Sequence, residues 1–151
     1  MGMKLGMRGA TLIKGKETLR LVAYLPTPDD VPTIGWGHTQ GVKLGMTCTE
    51  TQAEQWFQED TANTVRVVNL AGLGLDLTQS MFDALVSLVY NAGPSPLTLT
   101  STIGAALRKR DWYGAWRGFS LWTKQGSKDL RGLAVRRAQE MALFMEDPLP
   151  K

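Results

Sequence analysis

One segment of the chain constrains the fold more than any other, because it predicts a helix whose positions are nearly all apolar. Between Thr78 and Asn91 the apolar positions include Met81, Phe82, Leu85, Val86, Leu88 and Val89. A helix with so few polar positions has to be buried by other elements. Thr78 is of a type that caps helix N-termini, and the sequence after Asn91, Ala-Gly-Pro, stops a helix. We therefore expect this helix to form the core of a helical lobe.

A proline-rich segment between two short apolar runs predicts a small antiparallel sheet. Pro26, Pro28, Asp29 and Asp30 stand between these runs, within residues 24–38. Such residues predict a turn that joins two short strands, and the prolines confine the strands to sheet edges. Glycines at 41 and 45 predict a second turn. We expect this sheet to be the only one in the chain.

The remaining patterns are helical. The first covers residues 10–24 and is interrupted by Gly15, which predicts a helix of roughly 8–12 residues. Thr49 and Gln52 match a capping box that opens a long connecting helix, which ends near Gly72. Three further helical patterns lie near residues 103–107, 112–119 and 133–145. The predicted class is α+β: a single domain over residues 1–151, with a sheet lobe at about 10–60 joined by a long helix to a mainly helical lobe at about 61–151.

Composition narrows the function classes. With Cys48 as the only cysteine and His38 as the only histidine, an intrachain disulfide and a multi-His or Cys-rich metal site are excluded. We expect no metal and no cofactor. The net charge of +3 favours polyanions such as nucleic acid, anionic lipid or acidic wall polymers, without choosing among them. The sequence has no apolar run of signal-peptide or transmembrane length, so no integral membrane segment is expected.

Three stretches, taken in order, resemble the phage-type lysozyme family, glycoside hydrolase family 24. Residues 12–24, LIKGKETLRLVAY, resemble the family's start, in which a helix delivers a catalytic Glu shortly before an Ala-Tyr pair. Residues 33–39, TIGWGHT, resemble its T-I-G-[YW]-G-H-T signature, and residues 82–93 resemble its buried helix. Further similarity, to a closing G-L-x-x-R-R-x-x-E, is carried by Trp122, Gly132, Leu133, Arg136, Arg137 and Glu140. The match covers residues 10 to 145 and implies a lysozyme-like fold.

The resemblance implies an endolysin muramidase. Such an enzyme hydrolyses the β-1,4 bond between N-acetylmuramic acid and N-acetylglucosamine in bacterial peptidoglycan, for host cell lysis. Glu17 matches the family's general acid, and a partly desolvated glutamate has a raised pKa that lets it donate a proton near neutrality. From the local pattern alone, a solvated helix glutamate would be the better interpretation. With the resemblance, the catalytic role is favoured.

The second catalytic group has no strict match. The family pattern places an Asp where this chain has Pro26, because the hairpin here is one residue longer. Asp29 and Asp30 are the only hairpin carboxylates and could hold a water on the opposite sugar face, or could simply bond the turn backbone. Thr27 is a third candidate, because its six-residue step to Thr33 equals the family's Asp-to-Thr step. Thr33 resembles the water-positioning threonine, and Asp29 ranks narrowly above Asp30.

Four residues are predicted to bind substrate. Asn91 could bond an N-acetyl group or could cap its helix. Tyr24 closes the first matching stretch. Gly35 permits a close backbone approach or a positive φ. The resemblance makes His38 a structural partner of an acid rather than a nucleophile's base.

Several other residues have a plain structural interpretation. A basic aromatic stretch suggests base stacking with phosphate contacts, but packing of a helical lobe is favoured and no nucleic-acid partner is expected. Its members are Arg108, Lys109, Arg110, Trp112, Tyr113, Trp116 and Trp122. Arg136 and Arg137 could touch wall carboxylates or pair with Glu140. Cys48 is interpreted as a packing residue.

The resemblance also implies the setting of the activity. The partner is peptidoglycan and the expected state is a monomer in the host cytoplasm until a holin-made lesion gives access to the cell wall in the periplasm. Two rivals stay open. A lytic transglycosylase would act on the same substrate by intramolecular attack and need no water-holding Asp. A catalytically inactive wall-binding or membrane-disrupting relative would keep only the fold.

Overall fold

The computed structural model describes residues 2–125 and 128–151, and its first elements are a short helix and a hairpin. Helix α1 (Met7–Lys16) is followed by strands β1 (Arg20–Tyr24) and β2 (Thr33–Gly35). Two long helices come next, α2 (Glu50–Ala71) and α3 (Gln79–Ala92). The remaining elements are a 3-10 turn (Ser95–Leu97), α4 (Thr102–Arg108), α5 (Trp112–Gly118), a 3-10 turn (Phe119–Leu121), β3 (Lys124–Gln125), β4 (Lys128–Asp129) and α6 (Arg131–Phe144).

The chain divides into two compact units. One is Ile13–Asn63, and the other combines Met1–Leu12 with Thr64–Lys151. Helices α1 and α2 contain the points at which the chain passes from one unit to the other.

The predicted hairpin is present in the first unit. Strand β1 pairs antiparallel with β2, with Arg20 opposite Gly35 and Tyr24 opposite Thr33, and an irregularity between these pairs. The other edge of β1 is also used, because the Ala23 N–H donates to the Met46 carbonyl over 2.9 Å. All the prolines of the segment lie between the two strands, where no ladder hydrogen bond is lost.

The prediction of a helical pattern through residue 24 was wrong at its C-terminal end. Helix α1 has ten residues, within the predicted length, but it ends at Lys16, and residues 20–24 form β1. Gly15 weakens the last turn, whereas Val22 and Tyr24 are of types that favour strands. The backbone of β1 then finds partners on both sides, since the Cys48 N–H donates to the Leu21 carbonyl over 2.9 Å. Residues 20–24 therefore form a strand because they pair with distant segments, although their local apolar spacing predicts a helix.

The core of the first unit is small. Ala23, Ile34 and Val42 are buried together, and three half-buried side chains pack against them: Met46, Cys48 and Trp56. This contact agrees with the packing interpretation of Cys48, and burial raises the pKa of its thiol. The predicted cap of α2 is also confirmed, because the Gln52 N–H donates to Thr49 Oγ1 over 3.1 Å.

Helix α3 is the buried helix that the sequence predicts. Thr78 Oγ1 accepts from the Met81 N–H over 3.1 Å, and every residue from Ser80 to Val89 is buried. The one charged side chain inside it, Asp83, accepts hydrogen bonds from the backbone N–H groups of Gly6 (2.8 Å) and Gly9 (3.1 Å). A buried charge needs such donors.

The rest of the second unit is helical, with one exception to the prediction. Helices α4, α5 and α6 lie where the three patterns placed them. Strands β3 and β4 pair antiparallel, with Lys124 opposite Asp129, so the expectation of a single sheet was wrong. Strands of two residues are too short to produce an alternating pattern in the sequence.

The basic aromatic stretch is mainly engaged within the fold. Trp112 is buried, and Trp116 Nε1 donates to the Met141 carbonyl over 3.1 Å. Arg108 and Arg110 donate to the carbonyls of Gly104 and Gly74, both over 2.9 Å. These contacts agree with the packing interpretation. Separately, none of the helices formed by the described residues has the length and apolar character to span a membrane.

Candidate functional site

The carboxyl group of Glu17 lies directly against the backbone of Gly37. Glu17 follows the last turn of α1, where its N–H donates to the Lys14 carbonyl over 3.1 Å, and the residue is half-buried. A Cβ added at Gly37 would stand 3.0 Å from both Cδ and Oε2 of Glu17. Gly37 also has a φ of +89°, which disfavours other residues. The T-I-G-W-G-H-T stretch therefore supplies the surface against which the predicted general acid lies.

The turn that carries Gly37 is closed by backbone hydrogen bonds. Ile34 and His38 each donate an N–H to the other's carbonyl over 2.9 Å. Gly35 has a φ of +67°, and a Cβ there would lie 3.2 Å from Ala53 Cβ in α2. The close approach predicted for Gly35 is thus an approach of α2 to the turn within the same unit.

His38 is held by two residues of α2. Its Nδ1 lies 2.9 Å from Asp60 Oδ2, and its ring stacks on Trp56 at 4.5 Å between centroids and 5° between planes. The residue is only 7% exposed. Because a carboxylate accepts, Nδ1 carries the proton in this contact. The acid that partners His38 is therefore Asp60. These contacts hold His38, which is the last residue of the turn that contains Gly37.

Lys14 links α1 to α2 three residues before Glu17. Its Nζ lies 2.5 Å from Glu54 Oε2, and it stands over the rings of Trp36 (5.4 Å) and Phe57 (4.8 Å). The hydrogen bond from Lys14 lowers the pKa of the Glu54 carboxyl below its ordinary value. Cation–π contacts of this kind add to the ion pair. The end of α1, and with it the backbone of Glu17, is tied to α2 in this way.

The hairpin candidates fall into two groups. Thr33 is buried in β2 and its Oγ1 donates to the Val31 carbonyl over 3.0 Å. Thr27, Asp29 and Asp30 are exposed in the turn, where the Asp30 N–H donates to the Thr27 carbonyl over 3.0 Å.

The two aspartates of that turn differ in their contacts. Asp30 Oδ1 accepts from the Val31 N–H over 3.0 Å, which is the backbone-bonding role weighed for it. Within residues 2–125 and 128–151, the Asp29 carboxylate has no hydrogen bond or ion pair. Asp29 is therefore the hairpin acid whose oxygens are available.

Tyr24 and Asn91 complete the predicted substrate-binding set. The half-buried Tyr24 ring lies 4.8 Å from the Arg20 guanidinium. Asn91 is exposed near the end of α3, and its Oδ1 accepts from Arg137 Nη2 over 2.7 Å. The C-cap of α3 is Gly93, so the capping alternative for Asn91 is not the one adopted.

The two arginines of the closing motif pair with Glu140. Arg136 and Arg137 are 5% and 1% exposed, and Glu140 is fully buried. Burial raises the pKa of the Glu140 carboxyl, and the two arginines and the Ser87 hydroxyl act against that rise. The structure therefore shows these arginines paired with Glu140, which is one of the two alternatives that the sequence left open, the other being contact with wall carboxylates.

The sequence could not reveal the partners of His38, Lys14 and Asn91. Asp60 lies 22 positions from His38, Glu54 lies 40 from Lys14, and Arg137 lies 46 from Asn91. No local pattern marks such contacts, because they depend on how α2 and α6 pack. Within the described part of the chain, no cluster of three or more His, Cys, Asp or Glu side chains is placed to hold a metal ion.

The comparisons with known proteins agree with one another. The sequence model of the family described as phage lysozyme matches residues 14–140. An endolysin of Acyrthosiphon pisum secondary endosymbiont phage 1 is 38% identical over 94% of this chain and 98% of its own length. An endolysin of Bacillus phage PZA is 39% identical over 94% of this chain, which spans only 55% of that longer protein.

A solved structure shows the same architecture. The endolysin from Escherichia coli O157:H7 phage FAHEc1 superposes with a TM-score of 0.84 at 34% identity. The superposition covers 99% of this chain and 98% of the other. The predicted lysozyme-like α+β fold is therefore confirmed.

Proposed function

The chain belongs to the phage lysozyme family, and on that premise we propose that Glu17 is the general acid with which it cuts the glycan strands of the host cell wall. The enzyme is a glycosidase that hydrolyses peptidoglycan, an endolysin of the muramidase type. The assignment of Glu17 is supported above all by one contact: its carboxyl group lies directly against Gly37, in the glycine-bearing turn of the family signature.

The proposed reaction needs two groups on opposite faces of the sugar. Glu17 gives its proton to the glycosidic oxygen as the bond from that oxygen to the anomeric carbon breaks. A water attacks the same carbon from the other face, and its proton passes to a carboxylate, so that the configuration is inverted. A half-buried acid suits the first role, because partial desolvation favours the protonated form that donates.

We assign the second role first to Asp29, then to Asp30. The transition state resembles an oxocarbenium ion, which a nearby carboxylate stabilises and a hydroxyl does not. The Asp29 carboxylate is unbonded among the described residues, whereas Asp30 already accepts from Val31. Thr27 keeps the family spacing, and Thr33 is proposed to orient the water, although its hydroxyl donates to the Val31 carbonyl in this state.

The remaining proposed roles concern binding and setting. Tyr24, Gly35 and Asn91 are proposed to contact the glycan, and His38 to act through the turn it holds. We also propose that residues 1–151 work as one domain, as a monomer, held in the host cytoplasm until a holin-made lesion opens the membrane. Size-exclusion chromatography tests the monomer, and lysis with and without a co-expressed holin tests the route.

Product analysis in H2(18)O tests the reaction itself. Hydrolysis places one labelled oxygen at each new reducing end of the glycan. A lytic transglycosylase would give unlabelled 1,6-anhydro ends, because its attack is intramolecular. An inactive wall-binding relative would release no new ends at all. Labelled reducing ends are the expected result, and unlabelled anhydro ends would overturn the hydrolytic assignment.

A further inference from the structure

The contact between Arg137 and Asn91 fixes the orientation of an exposed amide. Arg137 Nη2 lies 2.7 Å from the Asn91 side chain. A guanidinium can only donate, so the Asn91 atom that faces it has to be the carbonyl oxygen Oδ1. The amide nitrogen Nδ2, with its two hydrogens, is then the other end of the group. An asparagine without such a partner could present either end to a ligand.

Arg137 is itself held rigidly. It is 1% exposed, and Nη1 donates to the Trp122 carbonyl over 3.3 Å. Nη2 also donates to Glu140 Oε2 over 3.3 Å, and Nε lies 2.7 Å from Glu140 Oε1 as an ion pair. A guanidinium fixed at this many points cannot rotate away from Asn91 without losing several contacts.

The cluster behind Asn91 carries an excess positive charge. Glu140 is shared by Arg136, whose Nε lies 3.3 Å from Oε2, and by Arg137. Two guanidinium groups therefore face one carboxylate in a buried place. The side-chain carbonyl oxygen of Asn91 is one of the acceptors for the guanidinium hydrogens that the single carboxylate does not bind. Polarisation of that carbonyl strengthens the donor character of the Nδ2 hydrogens.

We propose that Arg137 is a positioning residue that holds the Asn91 amide so that Nδ2 donates to the carbonyl oxygen of an N-acetyl group of the glycan. The inference rests on the proposed function and deepens it, because it names the atom that binds and the residue that aims it. An acceptor oxygen is what the fixed amide selects. A group that donates in its place meets another donor and is rejected.

The first test replaces the donor and keeps the acceptor. Asn91→Asp has nearly the same shape and still offers an oxygen to Arg137, but Nδ2 becomes an oxygen. We expect KM on peptidoglycan glycan strands to rise about tenfold with kcat within about twofold of wild type. On strands stripped of their N-acetyl groups, the difference between variant and wild type should vanish or reverse. The same KM ratio on both substrates would overturn the N-acetyl assignment.

The second test separates positioning from stability with a matched control. Arg137→Gln and Arg136→Gln each leave Glu140 facing one arginine, but of the two arginines only Arg137 has a hydrogen bond to Asn91 among the described residues. We expect Arg137→Gln to raise KM about threefold to tenfold with little change in kcat, because the amide is free to flip. Arg136→Gln should lower the melting temperature yet keep KM within about twofold. Equal KM values for the two variants would overturn the positioning role.

If Arg137→Gln does not fold, Arg137→Lys replaces it; a single ammonium cannot hold Asn91, Trp122 and Glu140 together, so KM should again rise. Failure of the proposed function is recognised separately, because wild-type protein would then release no labelled reducing ends. The inference fails alone when the wild type is active and the Asn91 and Arg137 variants keep its KM on both substrates.

Discussion

The carboxyl group of Glu17 lies so close to Gly37 that a single added carbon would stand 3.0 Å from its Cδ and Oε2. The φ of +89° at Gly37 would strain any other residue as well. Both constraints act at one position of the family signature. The lack of a side chain at Gly37 thus leaves room for the Glu17 carboxyl group. This relationship can be tested by a substitution at Gly37 that leaves Glu17 unchanged.

Gly37→Ala is expected to lower turnover about tenfold to a hundredfold, because small displacements of a catalytic group cost that much. Gly45→Ala is the matched control: Gly45 has a φ of +94°, but a Cβ there meets nothing within 4 Å. Both variants should lose about 1–2 kcal/mol of folding stability through backbone strain. Turnover on purified peptidoglycan, beside urea denaturation, makes the comparison. Equal activities for the two variants would show that Gly37 has no special relation to Glu17.

The Asp60 carboxylate is expected to stabilise the turn through His38. Asp60→Ala leaves Nδ1 of a 7%-exposed imidazole without this acceptor, which should cost about 1–3 kcal/mol. Glu59→Ala changes the neighbouring exposed residue of α2 and should stay within about 0.5 kcal/mol of wild type. Chemical denaturation of the three proteins measures both effects. An Asp60 variant as stable as the Glu59 variant would contradict the role given to the pair.

The Lys14–Glu54 pair predicts a specific pH dependence. The hydrogen bond from Lys14 lowers the pKa of Glu54 below its ordinary value of 4.5. A carboxyl group with a lowered folded-state pKa contributes stability above its unfolded pKa, and this contribution is lost as pH falls through the folded value. The stability difference between wild type and Glu54→Gln should therefore be larger at about pH 7 than at about pH 3.

Because Glu54 is partly exposed, the difference should be modest and should shrink in high salt. Glu59→Gln provides the control for a glutamate of the same helix that has no lysine partner among residues 2–125 and 128–151. A Glu54 difference that stays constant across this pH range would remove the ion pair as its cause.

The hairpin acids are distinguished by single alanine variants assayed on the same peptidoglycan. Asp29→Ala should lose most of the activity, and Asp30→Ala less, because Asp30 also serves the turn through the Val31 N–H. Thr27→Ala should keep most of it. Full activity in both aspartate variants, with loss in the Thr27 variant, would mean that the family spacing and not the carboxylate determines the second role.

Much of the fold could be predicted because its signals are local. The burial of α3 follows from a run of nearly all apolar positions, and the caps at Thr49 and Thr78 lie where their sequence patterns put them. Residues 20–24 were missed because their strand depends on pairing with residues 33–35 and 46–48, which the local pattern does not contain.

The site was predictable only in part, for the same reason. Glu17 and the glycine-bearing turn are contiguous motifs, so a resemblance could identify them. Asp60 and Arg137 act on His38 and Asn91 from distant helices, and only packing brings them together. The longer hairpin also removed the one spacing rule that would have identified the second acid.

The most direct test of the proposed role of Glu17 is the turnover of Glu17→Gln on purified peptidoglycan, compared with Glu59→Gln as a control and with circular dichroism to confirm folding. Glutamine keeps the shape of the side chain on Gly37 but has no proton to give. This role predicts that the Glu17 variant folds and loses about 10²–10⁴-fold or more in kcat, while the Glu59 variant turns over like wild type. A folded Glu17→Gln protein with wild-type turnover would contradict it.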